Sequence, residues 1–304
     1  MKTFSQLRDE VLRWMDEYGD TGTTKAIVEQ AIKDAHEKRC VQCKWPFMRS
    51  RPYSFTLDTS KQEYTLHEQA SSLDYLWNTT QEFFLVEVSD RNLPGESISY
   101  TDDLVPARYF SRAGYWPVRY QPVSAERITI TSDQAEGAAP TLTIEGEDAN
   151  GDVISETITV PNSGALSFAR INRLTKAGTV AGTWTIKGYT SNTVFVTLTT
   201  SQLGKQYPVI RLFNPPESAD SVQYQFFKKP TVLSLDNDIP DIPYPYCSVL
   251  VYDALLMISA YNEVTSEGVD IWRREQLKWE LNLLTLGFET DSIAGQQTGV
   301  IVGY

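Results

Sequence analysis

A chain of 304 residues, 41% hydrophobic and 22% charged, carries enough apolar material for one or two packed cores, which excludes intrinsic disorder as its default state. Its net charge of −12, from 27 basic and 39 acidic residues, argues against a nucleic-acid clamp, because affinity for DNA comes largely from Lys and Arg that neutralise phosphates. The same charge suits a surface that DNA slides past, and three cysteines are too few for a disulfide scaffold, so reduced thiols and a cytosolic folding environment are expected.

The first residues show no continuous apolar stretch, so no leader is expected. Phe4, Leu7, Val11, Leu12, Met15 and Tyr18 recur at helical spacing and predict a first helix, with Thr3 and Gln6 at capping-box positions. Gly19 to Gly22 forms the connecting loop. A second helix starts near Thr23 or Thr24, shows Ile27, Val28, Ala31, Ile32 and Ala35 on one face, and stops before Pro46. From Arg51 the period falls toward two. Tyr53, Phe55 and Leu57 predict one strand, Tyr64 and Leu66 a second and Phe83 to Val88 a third, whereas Asp90 to Pro122 gives no clear pattern.

Between Ser124 and Leu203 the composition shifts to Thr, Val, Ile, Gly and Ser. Alternating pairs (Ile128 and Ile130, Leu142 and Ile144, Ile158 and Val160, Trp184 and Ile186, Val196 and Leu198) surround the turn signal Asn150-Gly151 and predict a small β-sandwich. Strands follow at Val209 to Phe213 and Val222 to Phe227, then a proline-rich acidic loop from Asp236 to Pro245. A helix from Tyr246 to Glu263 buries Val249, Leu250, Ala254, Met257 and Tyr261. Another, from Val269 to Leu286, buries Ile271, Trp272, Leu277, Leu281 and Leu284. The most apolar run, Val249 to Ala260, is broken by Asp253 and too short to span a bilayer, so no membrane association is expected.

Residues with reactive chemistry are few. Cys40 and Cys43 form a CxxC, and His36 lies four residues before Cys40 on the same helical face. A structural zinc site pairs one CxxC with a second ligand pair, and Cys247 and His67 do not supply one, so two half-buried thiols at a helix end are the favoured reading. Asp20-Thr21-Gly22 matches the aspartic-protease tripeptide but sits in a helix connection, where Asp and Gly form loops. Glu145 with Glu147 and Asp236 with Asp238 are read as solvated strand and turn positions rather than glycosidase pairs. Lys44, Trp45, Arg49 and Arg51 form a small basic and aromatic cluster at a helix-to-strand junction. No phosphate loop, dinucleotide fingerprint or nucleophile elbow occurs. No catalytic, cofactor-binding or metal-binding residue is therefore assigned, and no cofactor is expected.

Several segments together carry a resemblance. Trp45-Pro46-Phe47 ends the first helix pair. Ser221-Val222-Gln223-Tyr224-Gln225-Phe226-Phe227-Lys228-Lys229-Pro230 runs into Leu233-Ser234-Leu235-Asp236-Asn237-Asp238-Ile239-Pro240, and Pro245 to Leu255 opens the next helix. This order resembles the head-to-tail adaptor (connector) family of tailed bacteriophages, over residues 1–122 and 207–287. The resemblance implies a helical adaptor core with flanking strands, here discontinuous over 1–123 and 204–287. The patterned insert, 124–203, departs from the minimal adaptor and looks like the all-β immunoglobulin-like modules of phage structural proteins; with a C-terminal tail, 288–304, the expected fold class is α+β.

The implied function is structural. Copies would form a ring, a dodecamer in the family, below the portal protein in the virion neck. The ring attaches tail or nozzle proteins and lets double-stranded DNA pass without specific binding. Asp102, Asp103, Asp236, Asp238 and Asp241 are candidate acidic channel-loop residues. Val300, Ile301, Val302 and Tyr304 are a candidate docking strand for the portal or a neighbouring subunit. The alternatives are a carbohydrate-binding or host-recognition module of a phage tail and, ranked below it, a hydrolase with dispersed catalytic residues.

Overall fold

The computed structural model describes residues 1–18, 23–88, 109–137, 139–213, 215–260 and 266–298, with side chains as far as Thr285. Two compact units divide it: a terminal unit, 1–51 with 225–304, and a central unit, 52–224. The expected boundaries at 123/124 and 203/204 mark where the amino-acid pattern changes; the compact units instead part after Arg51 and after Tyr224.

Among its described residues the terminal unit holds four α-helices. α1 spans Phe4–Glu17, where the Thr3 hydroxyl accepts from the Gln6 amide and the Gln6 side chain accepts from the Thr3 amide, closing the expected capping box. α2 spans Lys25–Gln42 and is capped by the Thr24 side chain. α3 spans Val249–Ser259 and is buried nearly all round, which fits a sequence that is apolar except for Asp253 and Ser259. α4 spans Ser266–Thr298 and so continues through the first part of the segment expected to be tail. One core joins Phe4, Leu7 and Val11 of α1, Val28 and Ile32 of α2, Val249 to Leu255 of α3, and Trp272 and Leu283 of α4. Leu277 and Leu281, expected on the buried face of α4, are 52% and 64% exposed. Tyr261 and the candidate strand Val300, Ile301, Val302 and Tyr304 lie outside the described residues.

The central unit is built of strands: β1 (Tyr53–Thr56), β2 (Glu63–Thr65), β3 (Ala70–Asn78), β4 (Phe83–Phe84), β5 (Val86–Glu87), β6 (Tyr109–Trp116), β7 (Glu126–Ser132), β8 (Thr141–Glu147), β9 (Val153–Thr159), β10 (Asn162–Phe168), β11 (Arg170–Ala177), β12 (Trp184–Gly188), β13 (Val194–Leu198), β14 (Tyr207–Leu212) and the start of β15 (Ser221–Lys228). They form four sheets with orders β1-β15-β3-β4, β2-β14-β6-β5, β10-β7-β12-β13 and β11-β8-β9. From Gln225 onward β15 belongs to the terminal unit, where Phe227 bridges Arg49.

The expectation of an α+β protein with a helical core over 1–123 and 204–287 is corrected by this architecture. Among the described residues helices occur in the terminal unit alone, 52–123 and 204–224 are strands and loops, and the chain is mostly β. The strands there are short and pair with partners far away in sequence: Val209 of β14 faces Thr65, and Tyr224 of β15 faces Tyr53.

The last two sheets pack as a sandwich around Ile128, Ile130, Leu142, Ile144, Trp184 and Ile186, as the alternation predicts. Its strand order is not that of an immunoglobulin domain. There the first strand pairs with the second; here the first, β7, lies between the fourth and sixth, β10 and β12. The Asn150-Gly151 turn joins β8 to β9 through residues 148–152, with Gly151 at φ 86° and the Asp148 carboxylate accepting from the Asn150 and Asp152 amides.

Candidate functional site

The densest group of chemically capable side chains lies in the terminal unit, where α2 meets the loop at 230–245. His36 and Cys40 are one turn apart on α2 and are 2% and 4% exposed. The loop brings Asp241 against them. Cys40 Sγ lies 3.5 Å from His36 Nε2, and His36 Nε2 lies 3.4 Å from Asp241 Oδ2. The Asp241 amide also points its hydrogen at the same Nε2, at 3.1 Å. The Asp241 carboxylate is itself held: it accepts from the Thr231 amide at 2.7 Å and the Thr231 hydroxyl at 2.9 Å. Among the described residues this is the one group of three His, Cys, Asp or Glu side chains whose donor atoms all lie within 4.8 Å of one another.

Burial, reinforced by the Asp241 carboxylate, pushes the Cys40 thiol up to about 12, the opposite of the depression a reactive cysteine needs. Cys43, the other half of the CxxC, is exposed, and Cys247 is buried. Sequence spacing finds His36 and Cys40. It misses Asp241 as their partner, because the pairing crosses 201 positions, from 40 to 241, and no periodicity records it.

A second buried cluster sits nearby on α2. Arg39 donates Nε to Asp253 Oδ2 at 2.6 Å and Nη2 to Asp253 Oδ1 at 2.8 Å, a two-pronged pair, while Nη1 lies 2.7 Å from Glu280 Oε1. Burial alone would lower the guanidinium pKa, but the bonds to Asp253 and Glu280 outweigh it and raise it further. Gln276 donates to both carboxylates. The cluster ties α2, α3 and α4 together.

The acidic loop has structural duties. Asp236 Oδ1 accepts from Arg8 Nη1 at 2.6 Å, a bond that holds its carboxyl below the usual range. Asp238 Oδ2 accepts from the Leu235 and Ser234 amides, with the same effect. The Phe4 and Ser5 amides, unpaired donors at the start of α1, donate to the Asp238 and Asp236 carbonyls. Asp102, Asp103 and the Asp20-Thr21-Gly22 tripeptide lie outside the described residues. Lys44 and Arg49 both lie against the Phe227 ring, at 5.7 Å and 5.6 Å from its centre, and Trp45 stacks on Phe47. In the central unit Glu145 faces Arg173 at 3.8 Å and Glu147 accepts from Asn172, both on one outer strand face.

The central unit also carries an open groove of about 910 Å³ with Phe55, Tyr64, Trp116 and Tyr120 along it beside Arg119 and Arg211. Phe55 stacks on the buried Tyr64 at 5.1 Å, and Arg119 covers the Tyr120 ring at 5.3 Å. Much of its aromatic surface is therefore already occupied by the protein. No described helix is long and apolar enough to cross a membrane. Compared with known proteins, the chain matches no protein-family model and no curated sequence.

Proposed function

We propose that the chain is a non-enzymatic structural subunit of a tailed-phage neck, one that assembles with its own copies into the adaptor ring between portal and tail. One observation carries the reading. The segments with the adaptor-like order, at the two ends of the sequence, share a single core: Trp45, Phe227, Leu233, Cys247 and Leu250 lie in the same buried cluster. Supporting it, the chemically capable groups are bound up in structural contacts, and the −12 charge suits passage of DNA rather than its capture.

Electron microscopy of the purified chain, alone and mixed with portal assemblies, tests the reading. Rings with a central opening, or added density under the portal, are expected, together with weak duplex binding at physiological salt. A chain that stays monomeric and ignores portals, or that binds duplex tightly with a steep salt slope, would falsify it. Carbohydrate recognition is a second reading, favoured by the groove beside Tyr120 and Arg119. A glycan signal abolished by Tyr120→Ala would put it first.

A further inference from the structure

We infer that His36, Cys40 and Asp241 bind one zinc ion, or a similarly soft divalent ion, at the junction of α2 and the acidic loop. The inference does not depend on the adaptor reading. Its first support is geometric. Tetrahedral zinc with bonds of ~2.3 Å to sulfur and ~2.0–2.2 Å to nitrogen and oxygen sets neighbouring ligand atoms about 3.4–3.6 Å apart. The sulfur–nitrogen and nitrogen–oxygen separations here are 3.5 Å and 3.4 Å. Two of the three edges already have the length such a site needs, and all three donor atoms lie within 4.8 Å of one another.

The second support is the way the carboxylate is held. Thr231 donates its amide to one oxygen of Asp241 and its hydroxyl to the other, the kind of outer contact that orients a ligating carboxylate. The third is donor chemistry. One sulfur, one nitrogen and one oxygen suit zinc, whereas magnesium and calcium prefer oxygen alone. The thiol and the imidazole are buried.

The exchange balances without redox chemistry. The divalent ion forms a bond to Cys40 sulfur, the thiol proton leaves to water, and the carboxylate and thiolate together neutralise the ion. Nε2 of His36 exchanges the Asp241 amide hydrogen bond for the metal. Three protein ligands leave a fourth position for water or an exogenous ligand. The competing account is a hydrogen-bonded cluster that only fastens loop to helix.

The full chain, stripped with a chelator, is titrated with zinc sulfate against a chromophoric chelator and, separately, with cobalt(II). One zinc per chain is expected, with a thiolate-to-cobalt absorption band. Cys40→Ser and Asp241→Asn should abolish binding, and Cys43→Ser should leave it unchanged. Thr231→Val, at an exposed position, should weaken it by ~10–100-fold with an unaltered circular dichroism spectrum. Absence of stoichiometric zinc, binding that survives Asp241→Asn, or binding lost on Cys43→Ser overturns the proposal. If Cys40→Ser does not fold, the cobalt spectrum and Thr231→Val decide: no thiolate band, or no weakening, overturns it.

Discussion

Arg39 joins three helices of the terminal unit through a buried ion cluster. Its side chain is 4% exposed and its partner Asp253 is 7% exposed, so neither charge can fall back on water. Arg39→Ala leaves the Asp253 carboxylate buried without its counter-charge, and a loss of ~3–5 kcal/mol in urea unfolding is expected. The triple change Arg39→Met with Asp253→Leu and Glu280→Gln removes the cation together with both of its carboxylates and should recover most of that loss; no recovery would mean that the ion cluster itself, not the orphaned charge, sets the stability. Glu136 of the sandwich makes a pH-dependent contribution. The Ala181 amide, the Ser132 hydroxyl, the Trp184 indole and the Gly182 amide all donate to it, outweigh its desolvation and hold its carboxyl at about 2 instead of 4.5. A depressed folded-state pKa stabilises above the unfolded value, and that contribution is lost as pH falls through the folded one. The window is therefore 4.5 down to about 2. Glu136→Gln should melt earlier than the parent near neutrality, and the gap should close as the pH falls through that window; a constant gap would count against the assignment. Neither residue stands out in the sequence, because a buried Arg and a turn Glu look like their solvated counterparts until their partners are placed.

Among the elements, α4 shows where periodicity is and is not enough. The caps of α1 and α2 are legible because Thr3, Gln6 and Thr24 act within one turn of chain. The rotation of α4 is not legible. Its apolar residues Ile271, Trp272, Leu277, Trp279, Leu281, Leu283 and Leu284 fall on more than one stripe, so several faces compete for the core. Arg39 decides among them: it requires Gln276 and Glu280 inward, and Leu277 and Leu281, beside each of them in sequence, end up outward. Leu277→Glu with Leu281→Lys should therefore shift unfolding of the free chain by no more than about 0.5 kcal/mol. Trp272→Ala, at a fully buried site, should cost ~3–5 kcal/mol. A large loss from the leucine pair would show that the stripe is buried in the free protein. Under the adaptor reading the same pair should suppress ring formation, since an exposed leucine stripe suits contact between copies.

At the scale of the whole molecule, the number of strands that flank the sandwich was the part least legible. Local alternation reveals β7, β8, β12 and β13, but sheets such as β2-β14-β6-β5 draw on segments over a hundred residues apart, and β6 lies within the stretch Asp90 to Pro122 that shows no clear pattern. The same distance hides Asp241 from His36 and Cys40. The composition shift at 124 and 203 is real, yet the sandwich core reaches past both points. Val118 is 0% exposed and Tyr207 is 7% exposed, and both belong to the cluster of Ile128 and Trp184. Beyond the same limits, the Arg119 amide donates to the Phe195 carbonyl, and Gln121 both donates to and accepts from the Ile171 backbone. A fragment of residues 124–203 forfeits all of these contacts, whereas 117–208 keeps them. Burial of Val118 alone is worth ~1.5–3 kcal/mol, a large share of the stability of a domain this small. The longer fragment should fold cooperatively in urea, and the shorter should be markedly less stable or unfolded. In the intact chain Val118→Ala should lower the stability of the central unit, while Val123→Ala, at a position 87% exposed, should not. Equal stability of the two fragments would show that the sandwich closes its own core without its neighbours, and that its boundary lies where the composition changes.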